Sequence, residues 1–332
     1  MKPKVSVIMA VLNGERFIDE AIQSIVDQTY KNVELVVVDD GSTDRTRDRV
    51  DAFRDRLEIQ YVRHETPRGI APSMNDGVRH ATGELITFLD HDDAWVPDFL
   101  QTQTSYLDEH PDVGMVHCDF QTIDPQGAVI QGSIAAWRGR SRPSGSVFPQ
   151  LFMDSFVVGN SVLIRRECFA RLGLFDESLR WGDYLMWMRI ARHYRVDYVD
   201  RVLTKYRQHP TQSTRNLIAD PPDAPPAALK AIERVLELYP EIRAELGERT
   251  VRHRIASFYF DRAYCWYVAG QPGSARVCLW RALRLWPTNA RYLTLYMATL
   301  LRPSQVQKAR RAWRLLTGRG AGTPPVFRGS TG

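Results

Sequence analysis

The first 120 residues alternate short apolar runs with longer amphipathic stretches. Val5 to Val11 is a nearly continuous apolar run carrying Val and Ile, the pattern of a strand buried on both faces. Phe17, Ile18, Ala21, Ile22, Ile25 and Val26 recur at helical spacing and predict an amphipathic helix over 15–28. Glu34 to Val38, Ile59 to Val62, Leu85 to Leu89 and Val113 to His117 predict further strands. Between them come a helix capped by Ser42 or Thr43 and reaching Phe53, a helix over Ala71 to Ala81, and one opened by Pro97. Strands separated by helices of this length argue for a parallel, doubly wound sheet, and such sheets collect ligands at the carboxyl ends of their strands. Two polar clusters, Asp39-Asp40 and Asp90 to Asp93, fall at such ends.

From about 125 to 206 the pattern is less regular. Residues 138–145 hold three arginines, two glycines and a proline and read as a mobile loop. Ser161 to Ile164 predicts a strand, and Leu185 to Ala191 sits in a helix starting near Gly182. Five prolines within 210–226 mark a linker. Everything after it reads as helix, broken near Pro240, Gly270 to Gly273, Pro287 and Pro303, with a final stretch rich in Gly, Pro, Ser and Thr that reads as disordered. The expected organisation is a catalytic domain over 1–210, a linker over 211–226, a basic helical region over 227–318 and a tail over 319–332.

Composition narrows the class. With 332 residues, 44% hydrophobic and 25% charged, the chain is neither collagen, a coiled-coil rod nor wholly disordered. No stretch approaches the roughly 20 apolar residues of a membrane-spanning helix. The apolar run at the start is too short and too closely followed by polar residues for a signal peptide. Four cysteines without a CxxC pair suit reduced thiols, so a cytoplasmic location is expected. The net charge of +5 conceals an asymmetry: residues 249–319 hold 14 Lys/Arg and one acid, Asp261, so they carry about +13 and the rest about −8.

Three carboxylates within Asp90-His91-Asp92-Asp93 repel one another. They suit either a solvated acidic turn, with His91 as an exposed spacer, or a shared divalent cation bridging them to a diphosphate. Asp39-Asp40-Gly41-Ser42 suits either an acidic helix N-cap or a ligand site, and its place beside the first cluster favours the second.

Val5-Ser-Val-Ile-Met-Ala-Val-Leu-Asn-Gly14, Gln28 to Asp44 with its Val-Val-Val-Asp-Asp-Gly-Ser, and Leu89-Asp-His-Asp-Asp93 resemble family 2 glycosyltransferases. Gly159-Asn-Ser-Val-Leu-Ile-Arg-Arg166, Gly173-Leu-Phe-Asp-Glu177 and Gly182-Asp-Tyr-Leu-Met-Trp-Met-Arg189 continue the resemblance in order, over residues 3–210. It implies an α/β GT-A fold, Rossmann-like with a doubly wound, mostly parallel sheet, here followed by a C-terminal all-helical region. It also implies an inverting, metal-dependent transfer of sugar from a UDP- or dTDP-type donor to a glycan or lipid-linked acceptor, in surface polysaccharide synthesis. Asp40 matches the acid that reads the imide edge of the base, with Ala10, Leu12 and Asn13 flanking it and Arg68 approaching the nucleotide. Asp90 matches the residue near the ribose, and Asp92 the ligand of Mn²⁺ or Mg²⁺. Asp93 would hold that loop, and Asp183 matches the catalytic base. His209, in Tyr206-Arg-Gln-His209, resembles a family segment that closes over the diphosphate or binds metal; a plain loop histidine is the other reading. Trp181 suits either sugar stacking or the core. The chain departs from the family at Gly182 and Leu185, where acids are frequent.

The basic tail interleaves arginines with aromatics from Phe258 to Trp313, which suits an anionic membrane surface. A helical repeat with core aromatics is the alternative, and no nucleic acid is expected as partner. An inactive nucleotide-sugar-binding module and a sugar nucleotidyltransferase are the rival functions. The latter lacks its expected basic, Gly-rich phosphate loop, since Ala10 to Glu15 has one glycine and no lysine.

Overall fold

The computed structural model describes residues 2–138, 142–180, 182–210, 212 and 221–300. Trp181, the tail over 319–332, residues 301–318, part of the 138–145 loop and most of the linker lie outside the described residues. The chain divides into two compact units, Met1–Leu151 with Ser155–His209, and Phe152–Asp154 with Pro210–Gly332.

In the first unit the order is β1 (Val5–Val11), α1 (Ile18–Val26), β2 (Val33–Asp39), α2 (Thr46–Asp51), β3 (Glu58–Arg63), α3 (Ile70–His80), β4 (Leu85–Phe88), β5 (Ala94–Trp95) and α4 (Phe99–Glu109). It continues with β6 (Val113–Ile123), β7 (Val129–Gln131), α5 (Ile134–Arg138), α6 (Phe148–Met153), a 3₁₀ turn (Gly159–Ser161), β8 (Val162–Arg165), α7 (Arg166–Leu172), α8 (Gly182–His193) and β9 (Arg195–Arg207). The strands form one sheet in the order β3-β2-β1-β4-β8-β6-β9-β5, with β7 on β6. β3, β2, β1 and β4 run parallel, as does β6 with β9; β8 runs antiparallel to β4 and β6.

The buried apolar runs explain the parallel half. Val5, Val7, Met9, Leu35 and Val37 point to one side of the sheet and meet Ile18 and Ile22 of α1 in the core. On the other side α3 lies against β1 because Gly77 leaves room: a Cβ there would stand 2.3 Å from Ile8 Cγ2. Three elements differ from the sequence expectation. β6 runs on to Ile123, β5 is a two-residue edge strand, and β9 is a 13-residue strand where no strand was expected.

The second unit holds α9 (Ala227–Leu238), α10 (Ile242–Leu246), α11 (Glu248–Val268), α12 (Pro272–Leu285) and α13 (Ala290–Leu300). Its core joins Ala256, Ala263, Cys278, Leu279 and Ala282 to most of the tail's aromatics, with Phe260 stacked on Tyr292 at 4.8 Å. The aromatic belt expected from the sequence is thus largely core, and Trp280 is its one strongly exposed member among the described residues. Buried Arg262 gives Nη1 to the Ala224 carbonyl at 2.8 Å and Nη2 to that of Pro221 at 2.7 Å, which fixes the end of the proline-rich stretch.

Candidate active site

Because β1 lies between β2 and β4 and all three run the same way, their carboxyl ends bring residues 10–14, 39–42 and 89–93 side by side. Hydrogen bonds join the first two loops. Asn13 gives its N–H to Ser42 Oγ at 2.8 Å and accepts from the Thr43 N–H at 2.9 Å, while Gly14 gives its N–H to Thr46 Oγ1 at 2.8 Å. Asn13 holds a left-handed backbone, φ 54°, which asparagine adopts more readily than most residues. At Gly14 a Cβ would stand 2.5 Å from Val11 Cγ2 and 2.9 Å from His91 Cδ2. His91 is half-buried against this turn and hydrogen-bonds the Ala10 backbone, so it packs the loop instead of serving as an exposed spacer. Leu12 stays exposed.

Asp39 faces inward at the end of β2. Burial would raise its carboxyl, but Ser42, Tyr61 and Arg63 outweigh that and hold it below the usual carboxylate range. Asp40 points to the loop after β3. Its Oδ1 accepts the Arg68 N–H and its Oδ2 the Gly69 N–H, both at 2.8 Å. His64 stands between two carboxylates, Nδ1 2.7 Å from Asp40 Oδ1 and Nε2 2.9 Å from Asp76 Oδ2. The Arg68 guanidinium reaches Asp76 at 2.8 Å. The loop carrying Arg68 is therefore built around Asp40, with His64 as a linking residue that the sequence pattern did not single out.

The loop after β4 holds the acidic cluster. Asp90, Asp92 and Asp93 each offer a carboxylate oxygen within 4.8 Å of the others. Asp90 opens to solvent, yet the protein packed around it displaces water from its carboxyl; that desolvation, then Asp92 and Asp183, push it up to about 7. Asp93 is buried, and burial with the charges of Asp92 and Asp90 pushes it well above the usual range. It accepts Asn160 Nδ2 and the Arg207 N–H, the latter at 2.8 Å. Asp92 Oδ2 lies 2.8 Å from Nε2 of buried His209, whose ring packs on Phe17 at 5.1 Å. Hard oxygen donors whose mutual repulsion raises two of them, Asp90 and Asp93, suit Mn²⁺ or Mg²⁺, and the imidazole of His209 stands beside Asp92.

Asp183 stands in the first turn of α8, behind Gly182, where a Cβ would come 3.2 Å from the Asp176 carbonyl. Burial raises its carboxyl, against hydrogen bonds from the backbone at Tyr184 and Asp183. Its charge acts on Asp90, and half-burial leaves its own carboxylate more basic than usual. Ala10, Leu12, Asn13, Asp40, Asp90 and Asp92 lie at or just beyond the ends of β1, β2 and β4; Arg68 joins them through Asp40, His209 through Asp92, and Asp183 by its charge on Asp90. His64, Asn160, Glu20 and Arg207 were not expected there. Two of them had a sequence signal: Asn160 within the motif over 159–166 and Arg207 within the segment over 206–209.

The profile of the family described as glycosyl transferase family 2 matches residues 6–173. A Rickettsia typhi protein named as an uncharacterized glycosyltransferase is 33% identical over 220 residues, covering 65% of this chain and 67% of that one. S. aureus TarS 1–349 in complex with UDP-GlcNAc superimposes with a TM-score of 0.61 at 18% identity, covering 93% of this chain and 92% of that one. The mannosyltransferase PcManGT of Pyrobaculum calidifontis, in complex with GDP-Man and Mn²⁺, gives 0.60 at 21% identity, covering 96% and 89%. At these identities the structural likeness establishes a shared fold.

Proposed function

Because the chain belongs to glycosyl transferase family 2, and is thus a glycosyltransferase of GT-A fold, we propose the reaction that its cleft supports best. It transfers a sugar from a UDP- or dTDP-type nucleotide sugar to a hydroxyl of a glycan or lipid-linked acceptor, with inversion and with a divalent cation. The observation that carries this reading is the acidic cluster of Asp90, Asp92 and Asp93 at the carboxyl end of β4, with the charge of Asp183 acting on Asp90. Asp40 Oδ2 accepts one hydrogen bond, from Gly69, and keeps a lone pair for the imide N–H of a pyrimidine base. Exposed Leu12 gives that base an apolar edge. Asp183 takes the proton of the acceptor hydroxyl as its oxygen bonds to the anomeric carbon; the bond from that carbon to the diphosphate breaks, and the diphosphate leaves with the electron pair. A bound Mn²⁺ or Mg²⁺ supplies neutralisation of the departing diphosphate.

Calorimetric titration of UDP, dTDP, GDP and CDP, each with and without Mn²⁺, tests the donor half. Tight binding of a uridine or thymidine diphosphate only with metal supports it, whereas a folded protein that binds none of the four sinks it.

We also propose peripheral association with the anionic inner face of the cell membrane, in surface polysaccharide synthesis. Residues 262–300 carry five arginines and no acid. α12 exposes Val277 and Trp280, and α13 exposes Leu293, Met297 and Leu300. Apolar stripes set among arginines suit an anionic lipid surface. No helix among the described residues is long and apolar enough to cross a membrane. Sedimentation at low salt with phosphatidylglycerol-containing vesicles, lost for Leu293→Glu/Met297→Glu, is the expected result; failure to sediment at all contradicts the proposal.

A further inference from the structure

Arg207 is a fully charged side chain at 1% exposure, inside the unit that carries the cleft. Burying a guanidinium is costly in lost hydration unless its donors are met. Here they are met by three separate segments. Nε donates to the Asp92 carbonyl at 2.7 Å, Nη1 to the Asp124 carbonyl at 3.1 Å and Nη2 to Glu20 Oε2 at 2.5 Å. Its own backbone N–H donates to Asp93 Oδ1 at 2.8 Å. The guanidinium carbon lies 4.9 Å from the centre of the Phe17 ring, which covers its flat face.

We infer that Arg207 is a positioning residue for the metal loop: it fixes the main chain at Asp92 and the carboxylate of Asp93, so that Asp92 is held for a divalent cation. The inference rests on the metal-dependent reading above. Its physical basis is the conflict within the loop. Three carboxylates within 4.8 Å of one another repel, and a loop left to itself relieves that by spreading. A cation bound at full strength needs the opposite, ligands held before it arrives. The Arg207 guanidinium holds the Asp92 carbonyl while its backbone N–H holds Asp93, and the side chain is anchored by Glu20 at the start of α1. Lysine keeps the charge but has no planar fork to serve the three acceptors together.

The test is Mn²⁺ titration of the full-length protein, read by calorimetry and by loss of the free-Mn²⁺ electron paramagnetic signal, alone and with UDP. It is run where circular dichroism shows each variant fully folded. Arg207→Lys is expected to bind Mn²⁺ about 10–100-fold more weakly than wild type, the usual effect of losing an outer partner of a metal ligand. A merely structural role lowers the melting temperature but leaves the Mn²⁺ affinity of the folded variant unchanged, and that result overturns the inference. If Arg207→Lys does not fold, Glu20→Gln carries the test. It removes the charged anchor at a half-exposed surface position, and several-fold weaker Mn²⁺ binding is expected from it. Wild-type affinity in a folded Glu20→Gln equally overturns the inference. A wild-type protein that binds no Mn²⁺ in either condition removes the metal reading, and the role of Arg207 with it.

Discussion

His209 Nε2 lies 2.8 Å from Asp92 Oδ2, so the chain just beyond β9 meets the acidic loop beyond β4. A metal on Asp92 then has an imidazole for a neighbour. Asp92→Asn should abolish the Mn²⁺ dependence of UDP binding, and His209→Ala should weaken metal-dependent binding by about 10–100-fold. Calorimetry with and without Mn²⁺ measures both. Equal UDP affinity for wild type and Asp92→Asn in the presence of metal contradicts this account of the loop.

Asp183→Asn should leave the donor affinity intact and lower the transfer rate by about 10²–10⁴-fold, the usual contribution of a positioned base. The base form exists above the carboxyl's pKa, which lies above the ordinary carboxylate range. The rate should therefore fall as pH falls through that raised value, and the Asn variant should lose this acid limb. A raised folded-state pKa also means that the ionised form opposes folding: its contribution is favourable below the unfolded pKa and is lost as pH rises through the folded one. Asp183→Asn should accordingly melt higher than wild type at neutral pH.

Glu34 gives a second, opposite pH response. It is buried in β2; burial would raise its carboxyl, but hydrogen bonds from Lys4, Ser6 and Thr82 outweigh that and hold it at about 2. Its contribution to stability is present above the unfolded value near 4.5 and is lost as pH falls toward 2. Glu34→Gln should cost roughly 1–3 kcal/mol at neutral pH by leaving buried donors poorly met, and should flatten acid unfolding between those limits. Urea midpoints measured across that range decide it.

His64 should act on the nucleotide side only. Replacing it with Ala removes the bridge from Asp40 to Asp76 and loosens the loop that carries Arg68. UDP affinity should fall about tenfold, the size of one lost charge-assisted hydrogen bond, while Mn²⁺ affinity without nucleotide stays at the wild-type value. A matched loss of both would assign His64 a general stabilising role instead.

Gly14→Ala should destabilise the protein by about 1–3 kcal/mol, because a methyl there meets Val11 and His91 with no room to yield. Thermal melting reads the cost, and a wild-type melting temperature would show that the turn can open.

The parts of this architecture that were legible in the sequence are the parts made by local pattern. β1, β2 and β4 are unbroken buried runs, and their acidic ends mark the ligand edge without any knowledge of the sheet. β9 escaped because its charged and half-exposed residues, Arg195, Asp200 and Arg201 among them, interrupt the apolar alternation. β5 is too short to leave a pattern. The support of the metal loop was illegible for a different reason. Asn160 meets Asp93 across 67 residues, and Arg207 meets Glu20 across 187. Nothing in either neighbourhood encodes the partner, since only the completed sheet brings them together.

That separation has a consequence for synthesis. β1 to β4 and the acidic loop are all made by residue 93, whereas the arginine that grips the loop comes 114 residues later. At translation rates of roughly 5–20 residues per second, the ribosome needs about 6–23 s to supply it. Through that interval the acidic loop is made but lacks the partners that Arg207 gives Asp92 and Asp93. Chains cut short before Arg207 would lack that latch.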